Sequence, residues 1–338
     1  MKEDRQDLTT GSIWGKMLFF SIPLMLTNLF QVLFNMADIA VIGQFAGSLS
    51  LGAVGSTATL VTLFTGVLIG MAGGINVLVA RYFGAKDKKS TVQTIHTALL
   101  VSLGTGVIVL AFGMLFSRWI LEVMNTKEEL LEGAVLYIRI YFLGMPALAL
   151  YNFGNAVCSA FGDTKKPLYY LSAAGVVNVV LNLFFVIICK MDVAGVATAS
   201  IISQYLSAFL ILRALAKMGG DYALCMSELK FNRRMAKYII QIGLPAGLQN
   251  GIFQLANLFI QAGVNTFDAT MVAGNSAAAN ADALLYDSMA AFYTACGSFM
   301  GQNYGAGKRK RVKNSYLISL AYSFGIGLVG GICLVIFG

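Results

Sequence analysis

Long apolar runs separated by short polar stretches fill the chain from residue 17 almost to its end. Most runs are about 20 residues long, the length that an α-helix needs to cross a hydrocarbon core of roughly 30 Å. The alternation over about ten residues that is typical of membrane barrels does not occur. The pattern therefore predicts an all-α integral membrane protein, a polytopic helical bundle. Nine spans are predicted, at 17–43, 55–80, 95–116, 133–157, 168–189, 194–215, 238–262, 281–303 and 315–337.

Composition agrees with this pattern, since 57% of the residues are hydrophobic and 12% are charged, against about 25% charged in a soluble domain. The chain has a single histidine, no HExxH motif and five scattered cysteines without a CxxC pair. Intramembrane catalysis, a metal centre and a disulfide framework all need more than this. We therefore predict a protein that is not an enzyme and that has neither catalytic nor metal-binding residues.

The net charge of +8 comes from the loops on one side of the predicted bundle. The N-terminus and the loops after spans two, four, six and eight hold 20 of the 24 Lys and Arg residues. By the positive-inside rule these loops are cytoplasmic, which predicts a multi-pass protein of the cell membrane with a cytoplasmic N-terminus. Topology accounts for the charge without a nucleic-acid partner, although a specific anionic partner stays open.

An internal repeat relates the two parts of the chain. With a shift of 222 residues, SIPLMLTNLFQVLFN at 21–35 aligns with GLPAGLQNGIFQLAN at 243–257, and VARYFGAKDKK aligns with MGQNYGAGKRK at nearly the same shift. Because six spans precede the second copy, the repeats are parallel, an arrangement in which a solute cavity lies between two rocking halves. The predicted organisation is a cytoplasmic N-terminus (1–16), a six-helix lobe (17–215), a cytoplasmic linker (216–237) and a partial three-helix lobe (238–338).

The second repeat contains only three of the six spans that the first one predicts. A complete pair of repeats would give a chain of very roughly 440 residues. We therefore expect that the sequence is truncated, or that a nine-span protein completes its cavity with another chain.

Asp38 stands out because it lies well inside the first apolar span. A charge at the bilayer centre costs roughly 2.5–3.5 kcal/mol, so an intramembrane carboxylate is a functional-site hypothesis by default. Burial disfavours its charged form and suits it to loading and releasing a proton. The alternative is that Asp38 reaches headgroups or water at the outer end. Pro23 in the same span is either a gating hinge or a static kink, and Arg139 in span four is expected to be a buried cation with a structural or gating role.

The chain resembles the multidrug and toxic compound extrusion (MATE) family. The resemblance depends on IPLMLTNLFQVLFNMADIAVIGQF in span one, LGAVG before span two, VARYFGAKDKK after it, FGDTKKP, VVNVVLNLFF and GVATASIISQ around spans five and six, and GQNYGAGKRK after span eight. It implies an antiporter that exports small amphipathic or cationic compounds in exchange for H⁺ or Na⁺ by alternating access. It implies no cofactor, and the full-length protein is expected to be a monomer in the lipid bilayer.

The resemblance also implies a coupling site, formed by Asp38, Asn178, Asn182 and Thr198. Many members carry a carboxylate where this chain has Asn182, which leaves one carboxylate for a sodium ion. One branch carries a glutamate in span seven, where this chain has only amides such as Gln249, Gln254 and Asn257, so the chain is more similar to the DinF-type branch than to the NorM-type branch. Polar residues elsewhere in the spans are candidates for the substrate cavity: Gln31, Asn35, Asn152, Asn155, Gln254, Asn257 and Asp287.

Two other functions remain open from the sequence. A lipid-linked oligosaccharide flippase shares the fold, but its pyrophosphate substrate favours a more basic cavity than Arg139 alone provides. A non-catalytic membrane subunit is compatible with the count of nine spans.

Overall fold

The computed structural model describes residues 7–218, 222–225, 229–264 and 266–337, and all regular secondary structure within these ranges is helical. A π-helical turn, Phe184–Ile188, continues the sixth helix. The helices are α1 (Ile13–Phe45), α2 (Gly47–Gly84), α3 (Lys88–Val123), α4 (Glu128–Phe142), α5 (Met145–Ala160), α6 (Lys165–Leu183), α7 (Asp192–Ala216), α8 (Arg233–Val264), α9 (Ala269–Gly305) and α10 (Arg309–Phe337).

The prediction of an all-α membrane protein is confirmed. Within the described residues, six helices are long and apolar enough to cross a membrane, and the pair α4 and α5 makes a seventh if it counts as one broken span. The six are α1, α2, α3, α6 with its π turn, α7 and α10. Helices α8 and α9 are 32 and 37 residues long but fall outside that set, so the count of nine spans stays a prediction.

The predicted fourth span, 133–157, is wrong as a single helix. The chain breaks between α4 and α5, and the two helices are bent by 45° at the break. Pro146, in the first turn of α5, has no N–H to donate to the preceding turn, so a continuous helix would lose a hydrogen bond there. The Tyr205 hydroxyl donates to the backbone carbonyl of Leu143 at 3.1 Å, which satisfies a backbone acceptor at the break.

Helix α2 is the centre of the bundle, because it packs against α3 and α5 on one side and against α8 and α9 on the other. The approach to α8 is backbone to backbone. A Cβ atom added at Gly70 would lie 2.2 Å from the amide nitrogen of Gly247, so only glycine allows this separation.

Helix α1 contacts different helices at its two ends. Its first turns contribute Met17 and Phe20 to a core with α9 and α10, where the Phe20 and Phe299 rings meet edge to face at 5.7 Å. Its later turns pack against α6. The two ends of α1 therefore belong to different parts of the bundle.

The described part of the connection between α7 and α8 is seated against the helices. The Tyr222 ring packs edge to face on Phe83 at 5.5 Å, and Leu224 is buried in the core formed by α2, α3, α5 and α7. Asn232 then begins α8 by accepting hydrogen bonds from the amides of Arg234 and Met235.

Candidate functional site

Asp38 lies in the last third of α1, where it faces α6 and α7. Phe45, the last residue of α1, follows Asp38 by seven residues, which is about 10 Å of helix. Asn182 on α6 donates from Nδ2 to Asp38 Oδ1, and Ser200 on α7 donates from Oγ to Asp38 Oδ2 at 3.2 Å. Both carboxylate oxygens are therefore solvated by side chains of the protein.

A second asparagine extends this cluster. Asn178 lies one turn before Asn182 on α6, accepts from its Nδ2 at 3.3 Å, and donates to Ser200 Oγ at 3.4 Å. Three of the four side chains predicted for the coupling site are thus in one hydrogen-bonded group. Asn182 and Ser200 donate directly to Asp38, and Asn178 donates to Ser200. An ionised carboxylate, which can only accept hydrogen bonds, requires donors arranged in this way.

Asn182 has one acceptor left over. Its side chain is fully buried, and its Oδ1 accepts no hydrogen bond from the residues that the structure describes. A buried amide oxygen without a donor is costly, and such groups are commonly found where a proton, an ion or a water binds during function. This acceptor belongs to the side chain that contacts Asp38.

Close helix packing brings these side chains together. A Cβ at Gly175 would lie 1.9 Å from the Phe34 ring, so glycine lets α6 approach α1 one turn below Asp38. The π-helical turn Phe184–Ile188 begins two residues after Asn182, with Cys189 N donating to Phe184 O at 3.1 Å. Single π turns widen a helix and are frequent at functional sites.

Ser200 contacts Asp38, whereas Thr198, which sequence reasoning selected, makes a different bond. The Thr198 hydroxyl donates to the Ala194 carbonyl of its own helix at 2.7 Å. Residues two apart on a helix point about 200° apart, so these two side chains cannot share one face. The coupling role of Thr198 stays a prediction, and Ser200 is a site residue that the sequence reasoning missed.

Predicted cavity residues form polar stripes along α1 and α8. On α1, Gln31 and Asn35 precede Asp38 by seven and three residues, so all three share one face. Gln31 is partly buried and Asn35 is exposed. On α8, Gln254 is partly buried and Asn257, three residues on, is exposed.

Each stripe begins at an asparagine that bonds across the bundle. Asn28 on α1 donates to the Asp287 carbonyl of α9 at 2.9 Å, and Asn250 on α8 donates to the Gly66 carbonyl of α2 at 3.2 Å. The side chain of Asp287 is partly buried at this level. The bonds mark the height at which the two groups of helices are joined.

Two further cavity candidates lie on α5. Asn152 is buried and donates to the Leu148 carbonyl at 3.0 Å. Asn155 is partly buried, and its Oδ1 receives no donor from the described residues. Neither has a contact with the Asp38 group among the hydrogen bonds of the described chain, so their role in a cavity stays a prediction.

The two gating candidates differ in their surroundings. Pro23 is buried inside α1, and its carbonyl accepts from the Thr27 hydroxyl at 2.8 Å. The expectation that Arg139 is a buried cation is wrong, because its side chain is exposed near the end of α4, where Nε donates to Ser117 Oγ at 3.3 Å. The break after α4 explains the difference, since it places Arg139 near a helix end rather than inside a continuous span.

Comparison with known proteins gives consistent matches. The family model described as MatE matches residues 23–184 and 245–338. The probable multidrug resistance protein YpnP of Bacillus subtilis (strain 168) is 31% identical over 312 residues, which covers 90% of this chain and 68% of the relative. The FAD transporter of Shewanella oneidensis is 26% identical over 331 residues, which covers 95% of this chain and 72% of the relative.

A solved structure has the same fold. It is an outward-facing multidrug resistance MATE family transporter of the MOP superfamily, with a TM-score of 0.89 and 24% identity. The match covers 98% of this chain and 73% of that structure. At this identity the likeness concerns the fold, and the chemistry has to be argued from the residues of this chain.

Proposed function

Because the chain belongs to the MatE family, we propose that it is a secondary active antiporter that exports small amphipathic or cationic compounds in exchange for protons. The observation that carries the proposal is the Asp38 group, a carboxylate within an apolar helix bundle whose two oxygens accept from Asn182 and Ser200. An intramembrane carboxylate held by polar neighbours on adjacent helices is typical of proton and ion pathways.

The residues around Asp38 fit a proton better than a sodium ion. Sodium is bound by oxygen atoms, but here N–H and O–H donors from Asn182 and Ser200 occupy both carboxylate oxygens. A sodium ion would have to share these oxygens with the two donors or displace them, and the group has only one carboxylate to contribute to the shell of oxygen ligands. A proton needs only one oxygen of Asp38 and one acceptor for the new O–H group.

Asn182 supplies that acceptor. When Asp38 takes up a proton, it loses one acceptor site and gains a donor, so one of its two partners has to reverse. Rotation of the Asn182 amide presents the buried Oδ1, which has no donor from the described residues, to the new O–H group. Protonation is thereby coupled to a rearrangement between α1 and α6, and Pro23 is the point at which α1 lacks a backbone hydrogen bond.

The solute path lies between the polar stripes of α1 and α8. Gln31, Asn35, Gln254 and Asn257 supply hydrogen-bonding groups along otherwise apolar helices, which suits amphipathic solutes. The partly buried Asp287 adds a carboxylate that favours cationic ones. In this proposal the N-terminus and the basic loops are cytoplasmic, and the two parallel repeats rock against each other.

One proton supplies enough energy for useful export. Moving one charge through 100 mV releases about 2.3 kcal/mol, and each pH unit adds about 1.4 kcal/mol. Since tenfold accumulation costs about 1.4 kcal/mol, one proton supports a solute gradient of roughly one to three powers of ten. For a monovalent cationic solute the exchange is electroneutral, and only the pH gradient contributes.

The test is solute-driven proton flux in proteoliposomes, measured for the unchanged protein and for Asp38→Asn with a cationic dye as solute. We expect Asp38→Asn to bind the dye but to lose proton movement, because its amide cannot exchange a proton. Asp192→Asn is the matched control, since Asp192 is an exposed carboxylate at the first turn of α7. Unchanged proton coupling in Asp38→Asn would refute the proposal.

A further inference from the structure

A short segment ahead of α1 is bound to the far part of the chain. We call residues 7–12 the strap. Its backbone carbonyls accept from the start of α10: Arg311 donates to Gly11 O at 2.9 Å, to Thr10 O at 3.2 Å and to Leu8 O at 3.3 Å. Lys308 Nζ donates to Thr9 O at 2.8 Å. The first and last described helices are therefore tied together at one end of the bundle.

Two buried side chains at the end of α9 hold the strap from beneath. Gln302 accepts from Leu8 N at 3.0 Å and donates to the Ala160 carbonyl at the end of α5 at 2.8 Å. Asn303 donates to Leu8 O at 3.2 Å and accepts from Arg311 Nε at 3.0 Å. Both side chains have no exposed surface. Gln302 and Asn303 thus join the strap, α5, α9 and α10 in one network.

The helix ends beneath the strap are in backbone contact. A Cβ at Gly84, the last residue of α2, would lie 2.0 Å from Gln302 O, and a Cβ at Gly305, the last residue of α9, would lie 1.9 Å from Arg81 O. The contact is reciprocal, because each glycine faces the carbonyl of the residue three positions before the other glycine. This end of the bundle, which carries the basic loops, is closed.

The chemistry of the closure suits repeated opening. Apart from Leu8, which is buried with α1 and α9, the strap is held by polar groups and by cationic side chains of α10. Such hydrogen bonds exchange for bonds to water at small net cost, whereas an apolar seal would have to expose its surface. Water can therefore replace the polar contacts of the strap without the exposure of a large apolar surface.

We propose that the strap is the gate at the basic end of the bundle, held shut by Gln302 and Arg311 and released once in every transport cycle. The inference builds on the proposed antiport function, because a solute can enter from this side only when the strap leaves α9 and α10. Gln302 and Arg311 are then positioning residues that act on transport through the strap.

The first test measures opening directly. In a background without the five native cysteines, Ser298→Cys reports on the α2–α9 contact, because Ser298 is fully buried and donates to Asn76 Oδ1 at 2.9 Å. We expect Arg311→Ala to label with a maleimide about tenfold faster, since one net hydrogen bond to a charged group shifts an equilibrium by roughly tenfold or more. Lys310→Ala is the matched control, because Lys310 is an exposed cation on the same turn, and it should label at the parent rate. Equal labelling of Arg311→Ala and Lys310→Ala would overturn the proposal.

The second test holds the gate shut and does not depend on weakening the fold. Cysteines replacing Thr9 and Lys308, which are in contact, are joined by a reducible bismaleimide in reconstituted protein. We expect transport to stop in the joined protein and to return after reduction, whereas joined protein that transports at the unjoined rate would refute a gating strap. Loss of proton coupling is read separately from Asp38→Asn, and labelling rates need no transport. A failed antiport function and a failed gate therefore give different results.

Discussion

The reciprocal contact between Gly84 and Gly305 yields a quantitative prediction for the double variant Gly84→Ala, Gly305→Ala. The added Cβ atoms would lie 2.0 and 1.9 Å from backbone oxygens of Gln302 and Arg81, whereas real Cβ atoms stay beyond 3.0 Å. The helix ends must therefore part by about 1 Å, and overpacking of this kind typically costs about 1–3 kcal/mol. If only the state closed at the basic end bears that cost, the ratio of closed to open protein falls by roughly 5- to 150-fold.

The assay is the labelling rate of Ser298→Cys, together with the melting temperature of the purified protein. We expect faster labelling and a lower melting temperature for the double variant. Gly73→Ala in α2 is the control, because a Cβ there meets nothing within 4 Å, and the exchange of glycine for alanine in a helix is neutral or stabilising by up to about 1 kcal/mol. If the double variant and Gly73→Ala gave the same labelling and melting, the two glycines would not determine closure.

Three further predictions concern single side chains. Ser200→Ala should reduce proton-coupled transport at least about tenfold, because a hydrogen bond to a charged group contributes about 1.5–3 kcal/mol, while Thr198→Val should transport normally; equal rates for the two variants would contradict the assignment of Ser200. Asn182→Asp should make dye efflux depend on sodium, since a second carboxylate beside Asp38 can help to bind the ion. Dye efflux that stays independent of sodium in this variant would argue against the role given to Asn182 in ion selectivity. Asp87 caps α3 by accepting a hydrogen bond from the Ser90 amide. Hydrogen bonds from the Ser90 side chain and backbone hold the pKa of Asp87 below its usual value of 3.8. Because the folded-state pKa is the lower one, Asp87→Ala should lower the melting temperature at pH 7, as expected for a lost cap of about 1 kcal/mol, and the difference should shrink as the pH falls below about 4; a difference that persists at low pH would refute the capping role.

Apolar periodicity predicted most of the helices but not the break in the fourth span. Length and hydropathy are properties of a local window, so 133–157 gave a strong signal as one span. The break depends on Pro146 and on the Tyr205 hydroxyl, which reaches Leu143 from α7. The proline was visible in the sequence, but the distant hydroxyl that makes a broken helix tolerable was not.

Asp38 could be predicted from the sequence because it is a carboxylate inside an apolar span, whereas Asn178 and Asn182 were expected only from the family resemblance. Ser200 was missed because Thr198 was taken over from the family by position, without a test of which residues of α7 share a face. A signal was available: Ser200, Ser203 and Ser207 recur at spacings of three and four and are all buried, which indicates the inward face of α7.

The strap had no sequence signal, because its acceptors are backbone carbonyls. Carbonyl groups are present at every residue, and the partners Gln302 and Arg311 lie about 300 positions away along the chain. Only the assembled bundle brings such groups together. Contacts of this kind are therefore the part of the fold that residue identity predicts least well.

Helix α1 connects the proposed coupling site with the proposed gate. Its last third carries Asp38, which bonds to α6 and α7, while its first turns pack against α9 and α10 and follow directly from the strap. Pro23 lies within the part of α1 that contacts α9, because Leu24 and Asn28, which follow it, still pack against or bond to that helix. Helix α1 can bend at Pro23 without losing a backbone hydrogen bond that it would otherwise have. In the second repeat, the position that aligns with Asp38 is Ile260. This exposed apolar residue cannot take up a proton. In the proposed mechanism, a change of protonation at Asp38 therefore acts on α1, and α1 begins at the segment that we propose must move for the basic end to open.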